Sequence, residues 1–286
     1  MNIYEEIDKL LSDNRSGSSA LLAKLLDLLE EYHNDADRYS IQDMKSILNR
    51  LIDGFPSFSI YFHFYRAFNN RLKVLEGYRF PANDIMKEMS QFLLSYKSKW
   101  KDVNNRIATS VIDNLDLKNK KVLLHSNSLT IRSVFAILCK NDICPDIIQT
   151  VSYPVKEGIL QAKFLARKKL NITLITDASV SLFIPTIDYA ILGADAIFEK
   201  SFVNKTGSML IALACQHHNK DLYVFSDSRK KTDRDMPSGT FIERLKNEKE
   251  KPPEEILSNA PENIHPSNRY FEEIPVALVS GFFYEE

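Results

Sequence analysis

Ile191-Leu192-Gly193-Ala194-Asp195-Ala196-Ile197, followed shortly by Val203-Asn204-Lys205-Thr206-Gly207, is the stretch from which the rest of the chain can be read. The apolar run predicts a buried strand whose carboxyl end delivers one acid, and the Asn-Lys-Thr-Gly turn predicts the opening of a helix over 207–218. Helix amino termini present unpaired N–H groups and the positive end of a dipole. Asn204 and Lys205 at such a junction therefore predict a small-anion site, with Asp195 placed to meet ligand hydroxyls. A lysine near a helix start opposes the dipole unless something anionic sits beside it, which favours Lys205 as the anchor.

Outward from this stretch the period of the apolar residues divides the chain near 114–120. Before it, residues 3–11, 20–32, 41–52, 58–78 and 85–111 carry helical spacing, with Leu22, Leu25, Leu26 and Leu29 on one face of the second segment. After it, short apolar runs at 122–124, 147–148, 172–175, 189–192 and 222–225 alternate with amphipathic segments at 130–140, 158–169 and 207–218. The expected fold class is α/β: a helical domain over 1–114, then a domain over 115–286 built on a parallel, helix-flanked sheet. Ligands of such sheets bind beyond the carboxyl ends of the strands, where His125, Ser152, Asp177, Asp195 and Asp227 are expected. Gly17, Gly158, Gly193 and Gly207, half of the eight glycines, fall at predicted element junctions. The aromatic run 58–65 is expected in a helix buried on most of its surface. Residues 276–279 are expected as a last edge strand, and the mixed-charge stretches 230–235 and 245–255 as solvated loop or helix surface.

Composition excludes several function classes. A formal net charge of -1 over 286 residues predicts neither a nucleic-acid nor an anionic-membrane partner. No apolar run approaches a membrane span, and the first residues carry no basic region or apolar core of a signal peptide, so a cytoplasmic protein is expected. Cys139, Cys144 and Cys215 are sparse and unpaired in spacing, as expected of buried, reduced thiols. His217 and His218 find no further ligands at metal-site spacing, so no metal and no cofactor is expected.

Thr173-Leu174-Ile175-Thr176-Asp177-Ala178, Gly193-Ala194-Asp195-Ala196-Ile197, Val203-Asn204-Lys205-Thr206-Gly207 and residues 212–218 resemble, in order and spacing, the translation initiation factor 2B regulatory subunits. Ribose-1,5-bisphosphate isomerase and methylthioribose-1-phosphate isomerase belong to the same family. The resemblance is strongest over 121–227. It extends more thinly through Arg15-Ser16-Gly17-Ser18, Pro56-Ser57-Phe58, Leu124-His125-Ser126-Asn127-Ser128 and Asn268-Arg269-Tyr270-Phe271-Glu272. It implies a helical amino-terminal domain joined to a Rossmann-like carboxyl-terminal domain, dimerisation through the latter or assembly with homologous subunits, and a phosphorylated small molecule held between the domains. In the isomerase branches it further implies a Cys after the first strand and the Asp of Gly-Ala-Asp as the groups that interconvert aldose and ketose phosphates.

Asp195 matches that Asp, but Ser126 stands at the Cys position. A serine hydroxyl is a far poorer acid than a thiol tuned toward neutrality. Tyr153 and Phe55 stand where the family pattern carries arginines, which removes two fork-shaped phosphate ligands. The expected catalytic pair is therefore Asp195 with a weakened Ser126. The expected ligand and phosphate contacts are Arg15, Gly17, Ser18, His125, Asn127, Ser128, Ser152, Asn204 and Lys205, with Lys163 and Arg229 as further candidate cations. Two readings stay open: a binding protein of the initiation factor 2B type, and a sugar-phosphate isomerase with a redesigned acid-base pair.

Overall fold

A computed structural model describes residues 3–33, 40–232 and 250–285. In the first part, apolar spacing of three and four residues produces α1 (Ile3–Ser12), α2 (Ser18–His33), α3 (Ile41–Gly54), α4 (Ser59–Gly77) and α5 (Ala82–Trp100). Ser40 and Asp43 fix the start of α3 through a reciprocal capping box. The leucine stripe of α2 meets Ile3, Ile7, Met44, Leu51, Phe64, Phe68 and Met89 in one buried cluster. Of the aromatic run, Phe58, Tyr61, Phe62 and Phe64 are buried as expected, while His63 and Tyr65 are half-buried.

Residues 85–111, expected as one helix, are two. The chain turns at Lys101-Asp102 and resumes as α6 (Val103–Asn114). The break re-aims the apolar stripe: Ile85, Met89, Leu93 and Tyr96 face the helical cluster, whereas Val103, Ile107, Ala108 and Val111 pack with β-strand residues. One straight helix cannot present its stripe to two cores lying in different directions.

Beyond it, β1 (Lys121–Leu124), α7 (Leu129–Lys140), β2 (Asp146–Thr150), α8 (Gly158–Ala166), β3 (Ile172–Ile175), the short α9 (Val180–Phe183), β4 (Tyr189–Leu192), α10 (Ser208–His217) and β7 (Asp221–Phe225) alternate. With β9 (Gly281–Phe283) the strands form a six-stranded sheet in the order β3-β2-β1-β4-β7-β9, every pair parallel. The expected mixed α/β architecture, helical part and parallel sheet, is present. Strand order reverses between β1 and β4, so a crevice opens where Leu124 and Leu192 end.

Three features differ from expectation. A second sheet, β5 (Ala196–Ile197), β6 (Ser201–Lys205) and β8 (Phe271–Pro275), is antiparallel and places Asn204 and Lys205 on a strand end, with only Thr206 and Gly207 turning into α10. Residues 276–279 are not the edge strand: Val276–Leu278 make a 3-10 turn after Pro275, and β9 takes the sheet edge against β7. Lys230 is not solvated but 4% exposed, drawn in by a 2.6 Å bond from its Nζ to the Ala194 carbonyl. Residues 233–249 of the mixed-charge stretches lie outside the described residues. Of the cysteines only Cys215 is buried; Cys139 is half-buried and Cys144, at the open end of the α7–β2 connection, is exposed.

Candidate functional site

A cavity of about 330 Å³ lies over the carboxyl ends of β1 and β4, roofed by the α1–α2 turn and by residues 54–58. Such a volume suits a small metabolite. From the sheet come His125, Ser126, Asn127 and Ser128 after β1, and Gly193, Ala194 and Asp195 after β4. Asn204 and Lys205 come from β6, and Arg15, Gly17 and Ser18 from the turn before α2. Of the eleven residues expected at the site, only Ser152 is absent from the wall. It lies beneath, where its Oγ accepts from Ser126 N at 2.8 Å and meets Thr150 Oγ1 at 3.0 Å.

The loops are held by their own polar groups. Asp177 accepts from the backbone N–H of Ser152 and of Tyr153, both at 2.9 Å, so its carboxylate fixes the β2–α8 loop from outside the cavity. His125 is buried, with Nδ1 at 2.7 Å from Thr150 Oγ1 and Nε2 at 3.0 Å from the Thr206 carbonyl. Burial pushes its imidazole below the usual value against the opposing pull of Asp177. Gly207 has φ +108°, and a Cβ there would stand 3.0 Å from His125 Cε1. Glycine is required both for the backbone and for the histidine to lie under it. Ser128 caps α7 by accepting from Ile131 N at 3.3 Å.

The amino terminus of α10 is not the open anion cradle that the sequence suggested. Glu272 Oε1 accepts from Gly207 N at 2.7 Å and Met209 N at 2.8 Å, occupying those donors. The Arg15 turn is likewise organised from within: Asp13 Oδ1 accepts from the Arg15 and Ser16 amides at 3.1 and 2.9 Å. Burial would raise the Asp13 carboxyl, but Lys24, Ser16 and the two amides together hold it at about 2.

What remains for an anion is side-chain charge. Lys205 is 5% exposed, sits 3.8 Å above the Tyr270 ring centroid and lies 3.1 Å from Glu157 Oε1. Ser126 Oγ donates to the same Glu157 oxygen at 3.0 Å. Glu157 is 4% exposed, and among the described residues its Oε2 has no hydrogen-bond partner. Burial pushes this carboxyl up, opposed chiefly by Lys205. After β4, Asp195 Oδ1 accepts from Ser18 Oγ at 2.6 Å. Burial pushes the Lys230 ammonium down against the pull of Asp195 and Asp227. Lys163 does not line the cavity, and Arg229 is engaged by Asp227 beside Trp100.

Sequence reasoning missed Glu157, Lys230, Lys251 and Asp13, and it met Phe55, Phe58 and Tyr270 only as positions of the family pattern, not as cavity wall. Glu157 had a signal: it directly precedes Gly158, where a Cβ would fall 2.0 Å from the Thr150 carbonyl oxygen, so α8 must start pressed against β2 and carry its first acid into the crevice. Lys230 had none, because its approach to Ala194 is set by tertiary packing.

Residues 14–285 match the Initiation factor 2 subunit family. A translation initiation factor eIF-2B subunit 2-like protein of Pyrococcus abyssi is 27% identical over 220 residues, 76% of this chain and 71% of that protein. A ribose 1,5-bisphosphate isomerase of Archaeoglobus fulgidus is 31% identical over 137 residues, which span 48% of this chain and less than half, 44%, of the isomerase. The crystal structure of the Pyrococcus horikoshii translation initiation factor eIF-2B superimposes with a TM-score of 0.78 at 21% identity, covering 99% of this chain and 94% of the other. Among the described residues no helix is long and apolar enough to cross a membrane, and no three His, Cys, Asp or Glu side chains gather as metal ligands.

Proposed function

The chain belongs to the Initiation factor 2 subunit family, and from that premise we propose that its cavity binds a phosphorylated sugar or nucleoside monophosphate as a non-catalytic or regulatory member. The observation that carries the reading is Lys205, an almost wholly buried ammonium in a cavity that a carboxylate, Asp195, also lines. A fixed cation and an acceptor in one small cavity match a ligand that carries both a phosphate and hydroxyls. Arg15, Asn127 and Ser128 complete the ligand contacts. Phe55 and Tyr153 supply no charge where the family pattern has arginines, so one phosphate is held better than two. The ligand enters without aldose-ketose turnover, because Ser126 lacks the acidity of a thiol and its hydroxyl is already committed to Glu157.

Assembly follows the same family logic. Leu182 and Leu210 on the sheet-bearing part are 74% and 70% exposed, apolar surface of the kind a second copy or a homologous subunit covers. One observation favours the isomerase alternative: Glu157, pushed up by burial and bonded to Ser126, is an acid-base group beside the vacated thiol position. The test is a thermal-shift screen of phosphosugars and nucleoside monophosphates, followed by an isomerisation assay on each ligand that stabilises the protein. Stabilisation without turnover supports binding alone. Turnover by the native chain that disappears in Asp195→Asn overturns it in favour of the isomerase.

A further inference from the structure

The anion anchor of this cavity already has an anion. Lys205 Nζ lies 3.1 Å from Glu157 Oε1, and both side chains are buried, at 6% and 4% exposure. A buried ion pair is worth holding only where its remaining polar atoms are met. Here they are not: among the described residues Glu157 Oε2 is unpartnered, as is Asn127 Oδ1 in the same wall. Two buried acceptors without donors mark a site that awaits hydrogen-bearing groups.

We propose that Glu157 is the resident counter-anion of Lys205, and that a phosphorylated ligand takes over the lysine while Glu157 accepts a proton, so that binding is coupled to proton uptake. The inference rests on the phosphate-binding reading of the cavity and specifies how that site is regulated by pH.

A phosphate dianion placed on Lys205 brings like charge against the Glu157 carboxylate in a site sheltered from water. The groups that bond to Glu157 or lie beside it are already engaged. Ser126 already donates to Oε1, Tyr270 donates its hydroxyl to Glu255, and the neighbouring His125 is buried between Thr150 and the Thr206 carbonyl. On its own element, Lys156 lies 5.1 Å from the Tyr153 ring centroid, stacked on that face. Arg15, Asp13, Asp195, Lys230 and Lys251 also line the cavity, two acids among three cations. Glu157 is displaced toward its neutral form even before a ligand arrives, because burial outweighs the lysine. Protonation then converts Oε2 from an unmet acceptor into a donor to the incoming phosphate, and the ion pair Glu157–Lys205 becomes phosphate–Lys205.

The linkage has a definite sign. A group that gains a proton on binding makes affinity fall as pH rises, by up to about tenfold per pH unit for one proton. The phosphate's own second ionisation, near pH 6, acts in the opposite sense. Comparison with Glu157→Gln removes that contribution, since the amide keeps an acceptor for Ser126 and Lys205 but cannot titrate.

The experiment is calorimetric titration with ribose 5-phosphate and with AMP between about pH 5.5 and 8.5, in two buffers of different ionisation enthalpy at each pH. Native protein and Glu157→Gln are compared, and their melting curves check that the variant is folded. The expected result is that the native protein takes up protons at about pH 8, where the ligands are already dianionic, and binds about tenfold more weakly there than Glu157→Gln, with the gap closing as pH falls. Parallel profiles, or no excess proton uptake by the native protein, overturn the inference and leave the phosphate reading standing. If neither protein binds either probe, the phosphate reading fails and this inference with it. If Glu157→Gln does not fold, native uptake in the two buffers at about pH 8 decides alone, uptake supporting the inference and its absence overturning it.

Discussion

Two buried ion pairs lie at the boundary between the helices and the sheets, and they are finished to different degrees. Asp227 and Arg229 are closed: one carboxylate oxygen accepts from Arg229 N and Nε at 2.9 Å, the other from Nε and Nη2, and the guanidinium lies over Trp100 with its Cζ 4.6 Å from the ring centroid. Burial would raise the Asp227 carboxyl, but Arg229 outweighs it and holds it low. Glu157 and Lys205 are open: one oxygen is shared by Lys205 and Ser126, the other is unmet among the described residues, and the carboxyl is pushed up. The contrast separates structure from function. A pair that satisfies every donor and acceptor fixes a helix–sheet contact, whereas one left incomplete at the wall of a cavity keeps its capacity for a ligand.

The closed pair is the more costly of the two to disrupt. Asp227→Asn strands the Arg229 guanidinium, and a loss of about 3–5 kcal/mol in urea unfolding is expected. Its carboxyl is lowered in the fold, so this contribution is present above the ordinary carboxylate value and is lost as pH falls through the folded one. Next in size is Gly207→Ala, which forces a Cβ into a left-handed backbone and against His125; about 1–3 kcal/mol of destabilisation is expected in the same measurement. Lys205→Met should cost less than Asp227→Asn, about 1–2 kcal/mol, because the abandoned Glu157 can neutralise itself by taking a proton. A cost of 3–5 kcal/mol there would show that the open pair is structural after all.

The smallest effect is a slope. His63, beside Tyr96 and near Arg229, is pushed by burial down to about 4, with Arg229 acting in the same direction. A histidine whose folded value is depressed loses stability for the fold as pH drops from about 6.5 toward 4, at no more than about 1.4 kcal/mol per pH unit. Unfolding free energies across that interval should flatten in His63→Gln; an unchanged slope would place the titration elsewhere, at His125 among others.

Most of the sheet was legible because its strands are short apolar runs separated by helical spacing, and Asp195 and residues 125–128 reached the cavity wall because strand ends converge where order reverses, whereas Arg15, Gly17 and Ser18 arrive on the α1–α2 turn and Asn204 and Lys205 on the second sheet. The second sheet was not legible. Ala196-Ile197 is two residues long, and Ser201–Lys205 is buried at every position, so neither shows the alternation that marks a half-exposed strand. That hidden strand changed the meaning of Lys205, from a lysine at a helix start to one at a strand end with a carboxylate partner. Occupied amides were equally invisible: nothing in the sequence says that Glu272 reaches back from the last part of the chain to cap α10. Long-range side-chain partners are set by packing, and spacing along the chain carries no record of them.

The most direct test of the account is the affinity of the native protein for ribose 5-phosphate against ribose, each measured again in Lys205→Met. The account predicts that the phosphate improves native binding at least about tenfold, one charge-assisted contact's worth, and that the variant loses this advantage while its weak affinity for ribose is unchanged. An equal preference for ribose 5-phosphate in both proteins would contradict it.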